Sequence, residues 1–207
     1  MEPTKRGSLL FYQVLRNKKL WLVASLFFLE QFFFYTWTGW TPALMMLKGA
    51  TPDVAGYIAS IPIWAGIPTV YFVPQIAYRL GLRKPFLWGP SLFLALASWL
   101  VISANLTMIW PLMALVGVAN LTRWVILLAL PVEIMSKQEV GTASGLVISI
   151  GALGGIIGPL IGGYILDLTG TLDLSLLVLT GVSIAAAGIA FRLPETGAKT
   201  RYDINRA

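Results

Sequence analysis

Charged residues fall in narrow bands along this chain, and long apolar stretches separate them. Residues 20–47 are apolar apart from Glu30, and 54–77, 140–166 and 174–191 carry no charge. Residues 85–122 are also uncharged and too long for one span; Asn105 and Thr107 form a polar break, which gives two segments, 86–103 and 108–135. Each of the six segments can cross about 30 Å of hydrocarbon at about 1.5 Å per residue. Lipid offers the backbone no hydrogen-bonding partner, so each is expected to be a helix, and the lack of strand-like alternation argues against a barrel. The predicted architecture is an all-α membrane protein with six transmembrane helices, at about 20–47, 54–77, 86–103, 108–135, 140–166 and 174–191. Residues 1–19 mix apolar and basic positions at helical spacing and are expected to lie along the membrane surface. No small-residue cleavage site follows them, so the first helix is expected to be retained. Residues 192–207 form a polar tail.

Composition agrees. Of 207 residues 57% are hydrophobic and 12% charged, where a soluble domain has about 25% charged; mean hydropathy is +0.78. The chain contains no Cys and no His. That removes disulfides, zinc and haem ligation by His, and every Ser-His or Cys-His nucleophile pair. No cofactor, metal or enzymatic reaction is expected.

Charge placement sets the topology. Lys5, Arg6, Arg16, Lys18 and Lys19 precede the first helix; Arg79, Arg83 and Lys84 follow the second; Lys137 follows the fourth; Arg192, Lys199, Arg201 and Arg206 follow the sixth. The opposite side carries only Lys48. The positive-inside rule then places both termini in the cytoplasm, in an inner or plasma membrane. The net charge of +6 is thereby read as topology, and nucleic acid is not expected as a partner.

Three ionisable residues lie within spans: Glu30, Arg123 and Glu133. A charge at the bilayer centre costs at least about 2.5–3.5 kcal/mol on insertion scales, so such groups pair or face water. Glu30 lies about 15 Å into helix one and Arg123 about 22 Å into helix four, which brings opposite charges to matching depth. Two readings follow. In one, Glu30 and Arg123 line a central cavity, Arg123 binding an anionic solute through its planar fork and Glu30 acting as its resting partner or a proton carrier. In the other, they are a structural ion pair between helices one and four. Asn120 shares the face of Arg123 and would touch solute or orient the guanidinium. Trp64 is near mid-depth and reads as cavity wall or as packing. Glu133 reads as ordinary interfacial charge, and Trp21, Trp40, Trp88 and Trp110 as interface anchors.

Pro62, Pro68 and Pro74 predict a bent second helix, with or without backbone exposed to a solute. In helix five, Gly154, Gly158 and Gly162 share one face, beside Pro159. Such ridges let helices approach closely in lipid, for packing or for sliding during a conformational change.

Several strings together resemble the major facilitator superfamily of transporters. Arg79-Leu-Gly81-Leu-Arg83-Lys84 resembles its cytoplasmic basic loop, with Tyr78 where the family pattern has an acid. Gly141-Thr-Ala-Ser-Gly145 through Gly158-Pro159 to Gly162-Gly163, then Asp167-Leu-Thr-Gly170, is similar to its eleventh helix, and Leu193-Pro-Glu-Thr-Gly197 to the tail that follows its last helix. The resemblance is to the C-terminal six helices. It implies 3+3 helix repeats, with helices one and four lining the cavity as the seventh and tenth, and conformational roles for Gly81 and Arg83. It also implies alternating access in a two-half transporter, as symporter or antiporter, with a second six-helix half supplied by a homodimer or an N-terminal partner. Expected partners are membrane lipid and a small solute. A non-transporting scaffold or assembly protein, or a fragment of a longer transporter, stands as the alternative.

Overall fold

A computed structural model describes residues 12–196. The predicted surface segment falls partly outside the described residues, as do Lys5, Arg6, Gly197, Lys199, Arg201 and Arg206. Residues 12–16 form a helical turn, with Val14 buried and Tyr12 exposed. Six long helices follow: α1 (Lys18–Leu47), α2 (Pro52–Leu80), α3 (Pro85–Ser103), α4 (Leu106–Ile134), α5 (Val140–Thr169) and α6 (Asp173–Arg192). All six are long and apolar enough to cross a membrane, and no strand occurs among the described residues.

The helix ends have local causes. Asn17 caps α1 by accepting from the Lys19 amide at 3.0 Å. Asn105 caps α4 by accepting from the Met108 amide at 2.9 Å, so the polar break between the third and fourth spans is a helix start. Pro52 and Pro85 occupy first-turn positions of α2 and α3, where a missing N–H costs nothing. Gly81 and Gly170 end α2 and α5 with φ of 67° and 69°, a left-handed cap that side chains disfavour. At the starts of α1, α2 and α4 and the ends of α2 and α5 the helices run two or three residues beyond the apolar segments, because these caps, and not hydropathy, stop them. Pro62, Pro68 and Pro74 all lie inside a continuous α2.

The most extensive contacts pair α1 with α5, α2 with α4, and α3 with α6. Exchanging the first three helices for the last three maps this pattern onto itself, in keeping with a 3+3 repeat. α1 and α4 are the most buried helices, α2 and α5 the least. The α1–α5 crossing runs along the predicted glycine face. A side chain at Gly154 would strike the backbone of Phe28 and Phe32, one at Gly158 would meet Thr36 and Phe32, and one at Gly162 would meet the Trp40 indole. Trp40 Nε1 donates to the Pro159 carbonyl at 2.9 Å. Trp40 is therefore a staple between helices, where an interface anchor was expected: the glycine ridge gives its ring a seat inside the bundle. α2 and α4 cross equally closely, with Gly66 against Leu121 and the Gly117 carbonyl, and Gly117 against the Pro62 backbone.

Two apolar clusters fill the interior. One gathers Leu20, Phe27, Leu127 and Ala143, the other Phe33, Met45, Ile58 and Met113. Along α1 the seam between them falls at residues 28–31, and along α4 at residues 120–125.

Candidate functional site

The charged pair occupies that seam. Glu30 comes from α1, and Asn120 and Arg123 lie one turn apart on α4. Glu30 Oε2 and Arg123 Nη2 form an ion pair, while Glu30 Oε1 accepts from Asn120 Nδ2 at 3.0 Å. The Arg123 guanidinium sits 5.9 Å from the centre of the Phe33 ring, within cation–π range. Glu30 and Arg123 are 0% and 2% exposed. At that burial each charge is tolerable only through the other, because removing two ions from water costs several kcal/mol each. The carboxylate thus joins α1 to α4 twice, through a cation and through an amide.

A cavity of about 120 Å³ lies beside this pair, among α1, α2 and α4. Its walls include Phe33, Phe34 and Trp37 of α1, Pro62 and Ile63 of α2, and Val116, Gly117, Asn120 and Leu121 of α4. The Phe33 and Trp37 rings are stacked, 5.3 Å apart and 12° from parallel. Of the four residues expected to contact solute, Asn120 alone forms part of this wall. Glu30 and Arg123 stand behind it, sealed in the bundle. Trp64 does not line this cavity: it is 72% exposed. Two residues from Pro62 is about 200° around a helix, which carries Trp64 away from the site at nearly the same depth.

A second polar cluster lies at the end of the bundle where α1 starts and α6 ends. Gly81 closes α2 and lets the chain turn toward Arg83, which donates to Glu133 Oε1 of α4 from Nε at 2.9 Å and Nη2 at 2.6 Å. Thr196 Oγ1 donates to Glu133 Oε2 at 2.7 Å. The amides of Arg83 and Lys84 donate to the Glu195 carboxylate at 2.5 and 3.3 Å, and Lys84 Nζ donates to the Phe191 carbonyl at 2.8 Å. Glu133 is therefore the anchor of a loop and of the segment after α6, where ordinary interfacial charge was expected. Its partner is 50 residues away in sequence, so no local pattern announces it. The cluster unites the basic loop and the Pro-Glu-Thr string, two of the motifs that carried the family resemblance.

Residues 20–206 match the sequence model of the Major Facilitator Superfamily. The chain belongs to that superfamily. It is an integral membrane protein, and both polar clusters lie inside the matched span. It is similar to the "Uncharacterized transporter YycB" of Bacillus subtilis, at 25% identity over 178 residues, covering 83% of this chain and 44% of that protein. It is also similar to an "Uncharacterized protein" of Archaeoglobus fulgidus, at 23% identity over 135 residues, covering 65% of this chain and 62% of that one. The chain thus spans less than half the length of the Bacillus subtilis relative.

The cavity's makers escaped the sequence reading. Phe33 and Trp37 are spaced four residues apart, one turn beyond Glu30, and Gly66 and Gly117 stand in spans with no repeating glycine face. Those signals exist, but they converge only when the phases of three helices are known together.

Proposed function

We propose that this chain is one six-helix half of a secondary transporter. It moves a small solute across a membrane by alternating access, with both termini cytoplasmic. A second six-helix half, from another copy or from an N-terminal partner, completes the pathway. The observation that carries the reading is the cavity at the α2–α4 crossing, bounded by Asn120 and backed by the Glu30–Arg123 pair, in a chain of this superfamily. The name of the Bacillus subtilis relative, a transporter about twice as long as its aligned portion, supports both the activity and the second half.

The pair has a defined part in this reading. Glu30 and Arg123 neutralise each other, so in this conformation the guanidinium does not present a net charge to the cavity. Anion binding by Arg123 requires the pair to open. Glu30 is the proton-coupling group: a proton on its carboxylate removes the anion that holds Arg123, and α1 can then part from α4. Asn120 is the link that transmits the state of Glu30 to the cavity wall. Lysine and arginine excess on the side of Arg16, Arg83, Lys137 and Arg192 supports the orientation.

Uptake into proteoliposomes, screened over anionic and neutral solutes with and without a pH gradient, tests the proposal. Gradient-dependent uptake that Glu30→Gln uncouples is expected. Uptake that remains gradient-dependent in a folded Glu30→Gln variant removes Glu30 from the coupling role.

A further inference from the structure

The two oxygens of the Glu30 carboxylate meet partners of different chemistry. Oε2 is paired with the Arg123 guanidinium, whose N–H groups donate and which has nothing that can accept. Oε1 accepts from Asn120 Nδ2 at 3.0 Å, and an amide carries an acceptor beside its donors. That acceptor, Asn120 Oδ1, is buried and has no hydrogen-bond partner among the described residues. An idle buried carbonyl oxygen is costly and uncommon in native structures. Among the described residues, no other ionisable group competes for this carboxylate. The helices packed against α1 are α2, α4, α5 and α6. Glu133 of α4 is engaged by Arg83. Asp53, Arg79, Asp167, Asp173 and Arg192 are exposed, as are the tyrosines of α2 and α5 and, on α1 itself, Lys18, Lys19 and Tyr35.

We propose that Glu30 takes its proton on Oε1, and that Asn120 is the positioning residue that turns its amide by half a turn to accept it. This rests on the reading of Glu30 as the proton-coupling group and names the partner that makes the coupling work. A proton on Oε2 would point an O–H at a guanidinium that can only donate, and the idle Asn120 oxygen would stay idle. A proton on Oε1 has an acceptor one side-chain rotation away. The proton comes from water and forms the O–H bond at Oε1. The hydrogen bond from Nδ2 to Oε1 breaks, and one from Oε1–H to Oδ1 replaces it. Oε2 becomes a neutral carbonyl oxygen, a weaker acceptor for Arg123 than a carboxylate. The charge on the guanidinium is then no longer cancelled, and it becomes the cation that an anionic solute can meet. Asn120 thus serves both protonation states of Glu30, as donor to the anion and as acceptor from the acid. Apolar side chains can do neither, and a hydroxyl can do both.

The test is acid-induced infrared difference spectroscopy of the full chain in lipid nanodiscs, with the side-chain carbonyl carbon of asparagine isotope-labelled. On acidification a carboxyl band that Glu30→Gln lacks is expected to appear. An asparagine carbonyl band should move to lower frequency with the same midpoint, because accepting a hydrogen bond weakens the C=O bond, and Glu30→Gln should abolish that shift as well. Asn120→Leu should remove the asparagine shift and move the Glu30 carboxyl band to higher frequency. Asn120→Ser, which keeps a group able to donate and accept, should bring the carboxyl band back toward its wild-type position. The wild-type measurement needs no substitution at Asn120, so it decides the matter even where Asn120→Leu does not fold. A Glu30 carboxyl band that appears while the asparagine band stays in place, or that keeps its wild-type position in a folded Asn120→Leu, overturns the proposal and leaves the coupling role standing. Absence of any Glu30 carboxyl band down to the pH at which the bundle unfolds removes the coupling role and this proposal with it. Both bands as expected, without gradient-dependent uptake in proteoliposomes, supports the part assigned to Asn120 and counts against transport.

Discussion

Among the described residues two arginine–carboxylate pairs join segments far apart in sequence, and they differ in surroundings more than in chemistry. Arg123 and Glu30 are sealed in the seam between two apolar clusters, with side-chain exposures of 2% and 0%; Arg83 and Glu133 sit at the bundle's end, with 12% and 22%. The buried pair has one further partner, Asn120. The half-buried pair is embedded in a wider network that takes in Thr196, Glu195 and two backbone amides. Water can substitute for a lost partner at the second pair and not at the first. The lesson is that the same ion pair is a sealed brace between helices in one place and a loop fastener in the other.

Breaking the buried pair by Arg123→Ala should therefore have the largest effect, about 3–5 kcal/mol of lost stability, because Glu30 is left as an uncompensated buried charge. Denaturant unfolding in detergent measures it. Glu30→Gln combined with Arg123→Gln should recover most of that loss, giving a strongly non-additive cycle. Additive losses would mean that the two side chains do not act as one unit.

The helix crossings come next. Gly117→Ala sets a methyl against the Pro62 backbone, and Gly154→Ala sets one against Phe28; each should cost about 1–3 kcal/mol through overpacking. Gly145→Ala meets nothing within 4 Å and should change stability by no more than about 0.5 kcal/mol. A thermal-unfolding series over these three variants separates the packed glycines from the idle ones.

Arg83→Ala should cost least among the charge deletions, about 1 kcal/mol or less, and the loss should shrink in high salt. A salt-independent loss as large as that of Arg123→Ala would erase the distinction between the two pairs.

Much of this was written in the charge bands. Opposite charges at one depth in α1 and α4 pointed to the Glu30–Arg123 contact, and the break at Asn105 pointed to two helices. The glycine spacing in α5 pointed to a close crossing, although not to α1 as its partner. Depth, however, is only one coordinate. Trp64 was read from its height alone, and it is exposed and does not line this cavity. Glu133 looked ordinary because its partners come from the α2–α3 loop and from the chain beyond α6. The cavity depends on Gly66 and Gly117 letting α2 and α4 meet, a property of two surfaces that neither segment displays alone.

The central claim is that the buried pair serves transport as well as packing. The most direct measurement is solute uptake by proteoliposomes carrying the Glu30→Gln/Arg123→Gln double variant, at equal folded protein, with the solute found by the uptake screen. The account predicts a folded bundle with uptake reduced at least about a hundredfold, a barrier change of about 2.7 kcal/mol. Wild-type uptake from that folded variant would contradict it and leave the pair as a structural brace between α1 and α4.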